Sequence, residues 1–146
     1  SSAASDVYKR QVYGKAEMIH KGSEIALVAV GSMVETACEV RKILKEKGLD
    51  VTVVNERFIK PIDAGMIHKL SFDHKLIVTM EENVGLGGFG DTVCQYADDS
   101  QLDVKVLNIA LPDDYVEHGN VSILKKEEGI DAAGVADRVL SFYTNI

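Results

Sequence analysis

The sequence contains no tryptophan, two prolines and only two cysteines in 146 residues. With five tyrosines and four phenylalanines as the remaining aromatics, any folded core must be mostly aliphatic. Two cysteines, Cys38 and Cys94, exclude a disulfide-dense mini-protein. They share no motif spacing, which suits a reducing cytosol, and both read as core residues. Long hydrophobic runs are also missing. A stretch such as Ile25 to Val30 is far short of the roughly 20 apolar residues that cross a bilayer. No basic start leads into an apolar stretch, so no secretory signal is expected. Positive charge is scarce as well: 16 Lys and Arg face 23 Asp and Glu, a formal net charge of -7. Such a surface repels phosphate backbones at long range and argues against nucleic-acid binding. These absences leave an acidic chain, expected in the cytoplasm, with no membrane and no nucleic-acid partner.

What is present fits one globular domain. Hydrophobic residues make up 46% and charged residues 27%, close to the globular average. A chain of this length can bury roughly 70% of the surface its unfolded form exposes. Ser1 to Gln11 is small, polar and without period, and reads as a flexible tail or a remnant of chain assembly. The folded domain is expected over 12–146.

Within it, strand-like and helix-like segments alternate. Ala16 to His20 suits a short strand, followed by a turn at Lys21-Gly22-Ser23. Glu24 to Val30 is a continuous apolar run ending at Gly31, the pattern of a strand covered on both faces. Ser32, with Glu35 three residues on, has the spacing of a capping box. The helix it would open carries Val34, Ala37, Cys38, Val40 and Leu44 at helical spacing and stops at Lys47-Gly48. Asp50 to Asn55 is β-branched and strand-like. Asp63 can cap a short helix running through Leu70. Lys75 to Met80 and Val104 to Ile109 are further strands, with a helix from Phe89 to Asp98 between them. Short helices are expected near Val121 to Glu128 and from Ala132 to Tyr143. Strands separated by helices imply βαβ units. The predicted fold is an α/β three-layer sandwich. Its sheet has about five strands, mostly parallel and doubly wound, with one short antiparallel edge strand.

Several residues can carry chemistry. Gly85-Leu86-Gly87-Gly88-Phe89-Gly90 satisfies G-x-G-x-x-G, whose glycines let backbone N–H groups approach a pyrophosphate. Glu81, Glu82 and Asn83 stand between strand and glycines, however, placing negative charge where a diphosphate would sit. The favoured reading is that Gly87, Gly88 and Gly90 allow close packing of a helix on the sheet or on a partner. Glu81 and Glu82 lie at a strand's carboxyl end, where doubly wound folds bind ligands. Adjacent side chains on extended backbone point opposite ways, so the two need not act together. The four histidines, His20, His68, His74 and His118, have no metal-ligand spacing. His68 and His74 flank a helix-to-strand turn and are expected to face solvent. Asp113 to His118 gathers acids, an aromatic and a histidine just past a strand end, a candidate contact with a ligand or partner. Arg57 can hold a carboxylate or phosphate bidentately, or pair with a nearby acid and fix its loop. Ser32 is not in a G-x-S-x-G elbow.

The order of these landmarks carries a resemblance. Gly31-Ser32-Met33-Val34-Glu35 comes first, then Arg57-Phe58-Ile59-Lys60-Pro61-Ile62-Asp63, then Val78-Thr79-Met80-Glu81-Glu82-Asn83 with Gly87 to Gly90. Leu111-Pro112-Asp113, Glu117-His118-Gly119 and Gly129-Ile130-Asp131 complete the set. From about Gly14 to its end the chain resembles the C-terminal domain of the 1-deoxy-D-xylulose-5-phosphate synthases, thiamine-diphosphate enzymes of the transketolase superfamily. The resemblance implies a parent transferase that condenses pyruvate with glyceraldehyde 3-phosphate and releases carbon dioxide. It implies thiamine diphosphate and magnesium held by N-terminal and middle domains of a homodimer, with none bound by this chain alone. No catalytic, cofactor-binding or metal residue carries over. Arg57, Glu81, Glu82, Asn83, Gly87, Gly88, Asp113 and His118 are therefore candidate interface or positioning residues, and the lone chain is expected to be inactive. Two alternatives are an autonomous regulatory module binding a nucleotide or other anion, and the C-terminal half of a split transketolase or 2-oxo acid dehydrogenase β subunit.

Overall fold

A computed structural model describes residues 15–57, 62–84, 88–112 and 131–146. Its elements run β1 (Glu17–His20), β2 (Glu24–Ala29), α1 (Met33–Glu46), β3 (Thr52–Asn55), α2 (Ala64–Asp73) and β4 (His74–Val84). They continue with α3 (Phe89–Asp99), β5 (Lys105–Pro112) and α4 (Ala132–Thr144). The five strands form one sheet in the order β1-β3-β2-β4-β5. β1 pairs antiparallel with β3, and the other neighbours are parallel. The expected fold class, including its short antiparallel edge strand, is what the chain adopts. The expected tail lies outside the described residues, as do Asp113, His118 and the helix anticipated near Val121 to Glu128.

The unbroken apolar run has the cause its pattern suggested. Residues Ile25 to Ala29 of β2 are all fully buried, because β2 is central and helices cover both faces. Alternate side chains serve different layers. Ile25, Leu27 and Ala29 pack with Met33, Ala37, Val40 and Leu44 of α1 and Val135, Ala136 and Val139 of α4. Ala26 and Val28 pack with Ile67 and Leu70 of α2 and Phe89 and Val93 of α3. Burying each large aliphatic side chain here stabilises the fold by about 1.5–3 kcal/mol. Among the described residues no helix is long and apolar enough to cross a membrane.

Four local expectations are corrected. Ser32 occupies the N-cap position of α1 but sits in the right-handed helical region and makes no side-chain capping bond. A side-chain cap needs extended backbone at that residue. Instead, Gly31 at φ +60° makes the turn, and the N–H groups of Met33 and Val34 bond to the carbonyls of Val30 and Gly31. β4 also continues past Met80, because its ladder with β5 goes on at Glu81 opposite Ala110. Glu81, Glu82 and Asn83 thus belong to a strand and not to a loop. The two cysteines are free and only half-buried, neither fully in the core.

The fourth correction is His74, which is buried, with 5% of its surface exposed. Its Nε2 lies 2.7 Å from Thr52 Oγ1 on β3, and its Nδ1 lies 2.9 Å from the Leu70 carbonyl. The Asp73 carboxylate is 2.6 Å from the same Nδ1. Gly22 donates its N–H to Thr52 Oγ1 at 2.8 Å. The network fits a hydroxyl that donates to Nε2 and an Nδ1–H that donates to the carbonyl. The β1–β2 turn, β3 and the α2–β4 junction are joined through these two side chains. Gly22 is required there, since a Cβ would lie 2.0 Å from the Asp50 carbonyl oxygen.

Replacing Thr52 by Val keeps the shape but leaves His74 Nε2 buried without a donor. The Thr52→Val variant is expected to lose about 1–3 kcal/mol in urea denaturation. An unchanged midpoint would show that this bond contributes nothing.

Candidate functional site

In a mostly parallel sheet the carboxyl ends of the strands share one edge, which is where ligands bind in doubly wound folds. Here β2 ends at Ala29, β3 at Asn55 and β4 at Val84 on that edge. Three acidic side chains are buried around it: Glu56, Asp63 and Glu81. Each is committed to backbone N–H groups of its own chain.

Glu81 points to the buried side of β4 while Glu82 is half-buried, the divergence expected of neighbours on a strand. The Glu81 carboxylate accepts from the N–H of Phe89 at 3.1 Å and of Gly90 at 2.6 Å. It therefore occupies the positive N-terminal end of α3, the place a pyrophosphate takes in the glycine-loop reading. Gly88 is the extended N-cap residue, and Phe89 is fully buried. Gly90 is needed for close packing: a Cβ there would lie 2.7 Å from Asn108 Cγ. Asn108 in turn accepts from the Thr79 hydroxyl at 2.6 Å and donates to Cys94 Sγ at 3.4 Å. At Gly90, then, the glycine serves helix-on-sheet packing. Residues 85–87 lie outside the described stretch, and of Asn83 only the strand position is described.

The second cluster joins β3 to α2; its cap at Asp63 and its Arg57 were singled out from sequence, and Glu56 was not. That cap is present: Asp63 Oδ1 accepts from Met66 N–H at 3.0 Å. Its Oδ2 accepts from Ala16 N–H at 2.9 Å. The Asp63 backbone N–H donates to Glu56 Oε1 at 3.0 Å. Glu56 is fully buried, and its Oε2 has no hydrogen-bond partner among the described residues. Burial pushes its carboxyl up from 4.5 to about 7, with the Asp63 charge adding to the rise; the Asp63 N–H bond and the Arg57 charge oppose it. No sequence signal marks Glu56, since an acid after a strand is ordinarily solvated. Among the described residues Arg57 bonds to backbone. Its Nε and Nη2 donate to the Lys15 carbonyl at 3.3 and 3.1 Å.

An open groove lies on the opposite edge of the sheet, near Phe72, His74, Leu102, Lys105 and Ile146, and none of the described candidates lines it. No group of three or more His, Cys, Asp or Glu with metal-holding geometry occurs among the described residues. At the start of α3 the cradle a diphosphate would use is filled by Glu81.

The family model "Transketolase, C-terminal domain" matches residues 14–135. A 1-deoxy-D-xylulose-5-phosphate synthase from Lachnoclostridium phytofermentans is 47% identical over 135 residues, which are 92% of this chain and 22% of that protein. The synthase of the same name from Dehalococcoides mccartyi strain 195 is 43% identical over 134 residues, 90% of this chain and 21% of that protein. The chain thus spans about one fifth of the length of these curated relatives. Among solved structures, a split gene transketolase in an inactive β4 tetramer superposes with a TM-score of 0.78 at 26% identity, covering 90% of this chain and 43% of that one.

Two outcomes follow from the geometry. Gly90→Ala is expected to cost about 1–3 kcal/mol through overpacking against Asn108. Combining it with Asn108→Ala relieves the clash, so the pair is non-additive in urea denaturation; additive losses would mean that Asn108 is not what excludes a side chain at 90. For Glu56 the folded carboxyl holds its proton to higher pH than the unfolded one. Its contribution is therefore intact below pH 4.5, declines as pH rises toward about 7, and is fully lost above that. The loss is on the order of 3 kcal/mol. Glu56→Gln keeps an acceptor for Asp63 N–H and cannot ionise. Its stability relative to the parent is expected to rise by about that amount between pH 5 and 8.5. A constant difference across that range contradicts the assignment.

Proposed function

The chain belongs to the transketolase C-terminal domain family, and from that premise we propose that it is the C-terminal domain of a 1-deoxy-D-xylulose-5-phosphate synthase. The observation that carries this reading is the 47% identity across nearly the whole chain to a synthase of which only 22% lies within the match. The domain supports and positions; the longer protein catalyses. In that protein, thiamine diphosphate with magnesium would supply the carbanion chemistry joining pyruvate to glyceraldehyde 3-phosphate, held by the N-terminal and middle domains. The lone chain is inactive in this reading. The full enzyme is a cytoplasmic homodimer in which Glu82, Asn83, Gly87, Gly88 and the 113–118 stretch face the neighbouring domains.

The internal commitment of the carboxyl-edge acids supports a supporting role. A ligand-binding edge leaves N–H groups free for its ligand, whereas Glu81 and Asp63 already take those of α3 and α2. A second reading is favoured by the split-gene neighbour: the same domain inside a separately encoded subunit. This chain spans 43% of that neighbour, so such a subunit would also be longer than 146 residues. The coding sequence immediately upstream separates the two.

The activity test uses the Lachnoclostridium relative. Deleting its matching 135 residues is expected to abolish turnover and impair dimerisation, and supplying this chain in their place to restore both. A truncated synthase that turns over and dimerises normally would refute the supporting role.

A further inference from the structure

β4 pairs along one side of β5, and among the described residues no strand takes the other side. The register with β4 is regular from Lys105 to Ala110. Charge and proline, two of the devices that blunt a sheet edge, stand only at the ends of β5, as Lys105 and Pro112. Between them Val106-Leu107-Asn108-Ile109-Ala110 is uncharged. The cover over this strand is incomplete as well. Val106 and Leu107 pack toward opposite faces of the sheet and are half-buried, whereas Ile77 and Val78, their register partners on β4, are fully buried. A groove runs along each face of the strand. One, beside α3, is lined by Ala97, Leu102, Val104 and Val106. The other, beside α4, is lined by Leu107, Asp137, Arg138 and Phe142.

A strand added to β5 would bond to its outward N–H and C=O groups, and its alternate side chains would enter the two grooves. The charges on α4 select the occupant. Asp137 and Arg138 are exposed at their groove, and among the described residues neither is in an ion pair. Two copies of β5 paired antiparallel about a two-fold axis keep like faces of the sheet together, so each α4 runs antiparallel beside the other. Leu107 lines the same groove as Asp137 and Arg138, which puts the middle of β5 level with them. A two-fold axis at that level sets each Asp137 opposite the second copy's Arg138. We propose that the β5 edge is a self-association surface, on which two copies of this chain join their sheets through antiparallel β5 strands with reciprocal Asp137–Arg138 pairs between the α4 helices. The proposal rests on this edge and stands apart from the proposed catalytic parent.

Sedimentation equilibrium of the chain from micromolar to millimolar concentration reads the association, and amide exchange by NMR across that range locates it. A concentration-dependent dimer is expected, with exchange slowed at alternate residues of 105–110 as it forms. Asp137→Arg and Arg138→Asp each set like charges across the axis, and each is expected to weaken the dimer about tenfold. The double variant restores opposite charges and is expected to regain the parent affinity to within about threefold. Both positions are exposed, so the variants keep the fold, which circular dichroism checks. A chain that stays monomeric at millimolar concentration would overturn the proposal. So would a dimer that leaves the β5 amides unprotected, or a double variant that associates no better than the single ones.

Discussion

Backbone N–H groups at helix starts must find acceptors when they are buried, and on this edge the acceptors are carboxylates from the same chain. Glu81 serves the start of α3, and Asp63 serves the start of α2 and the peptide before β1. Glu56 holds Asp63 in place from below. A charged acceptor for a backbone N–H is roughly twice as strong as a neutral one. Removing any of these acids would leave donors without partners beneath helices that cover the sheet. The arrangement has a functional consequence. At the starts of α2 and α3 the protein's own acids take the N–H groups and so hold these elements together.

The same constraint separates what the sequence reveals from what it conceals. The apolar run of β2 showed a strand covered on both faces, because burial on two sides leaves no polar alternation. The cap at Asp63 was equally legible, since its donor lies three residues away. His74 was not, because its partner Thr52 is 22 residues distant and joins it only across the sheet. A histidine at a helix-to-strand turn looks solvated until the opposing strand is placed. Glu56 is concealed for a related reason: Asn55-Glu56-Arg57 reads as the polar end of a strand, and only folding brings Asp63 over it. Ser32 failed in the opposite direction. Its spacing to Glu35 is right, but Gly31 at φ +60° had already made the turn, so Ser32 entered the helical region itself. The ordered motifs identified the family correctly because they report whole strand ends, which survive such local changes.

Within the family the domain has a defined kind of task. It spans about a fifth of the synthases it matches, and the rest of their length is where a cofactor site has to be found in the proposed reading. Its own chemistry is that of a rigid three-layer support. Both faces of the sheet are filled by aliphatic side chains, and Thr52 and His74 tie the amino edge. Asp63 and Glu81 close the starts of α2 and α3 at the carboxyl edge.

The central claim is that Glu81 and Asp63 fill the starts of α3 and α2 at this edge for the protein itself. Titration calorimetry of the 146-residue chain with thiamine diphosphate and magnesium tests it most directly. The account predicts no saturable heat up to millimolar cofactor. Specific binding with micromolar affinity would contradict it.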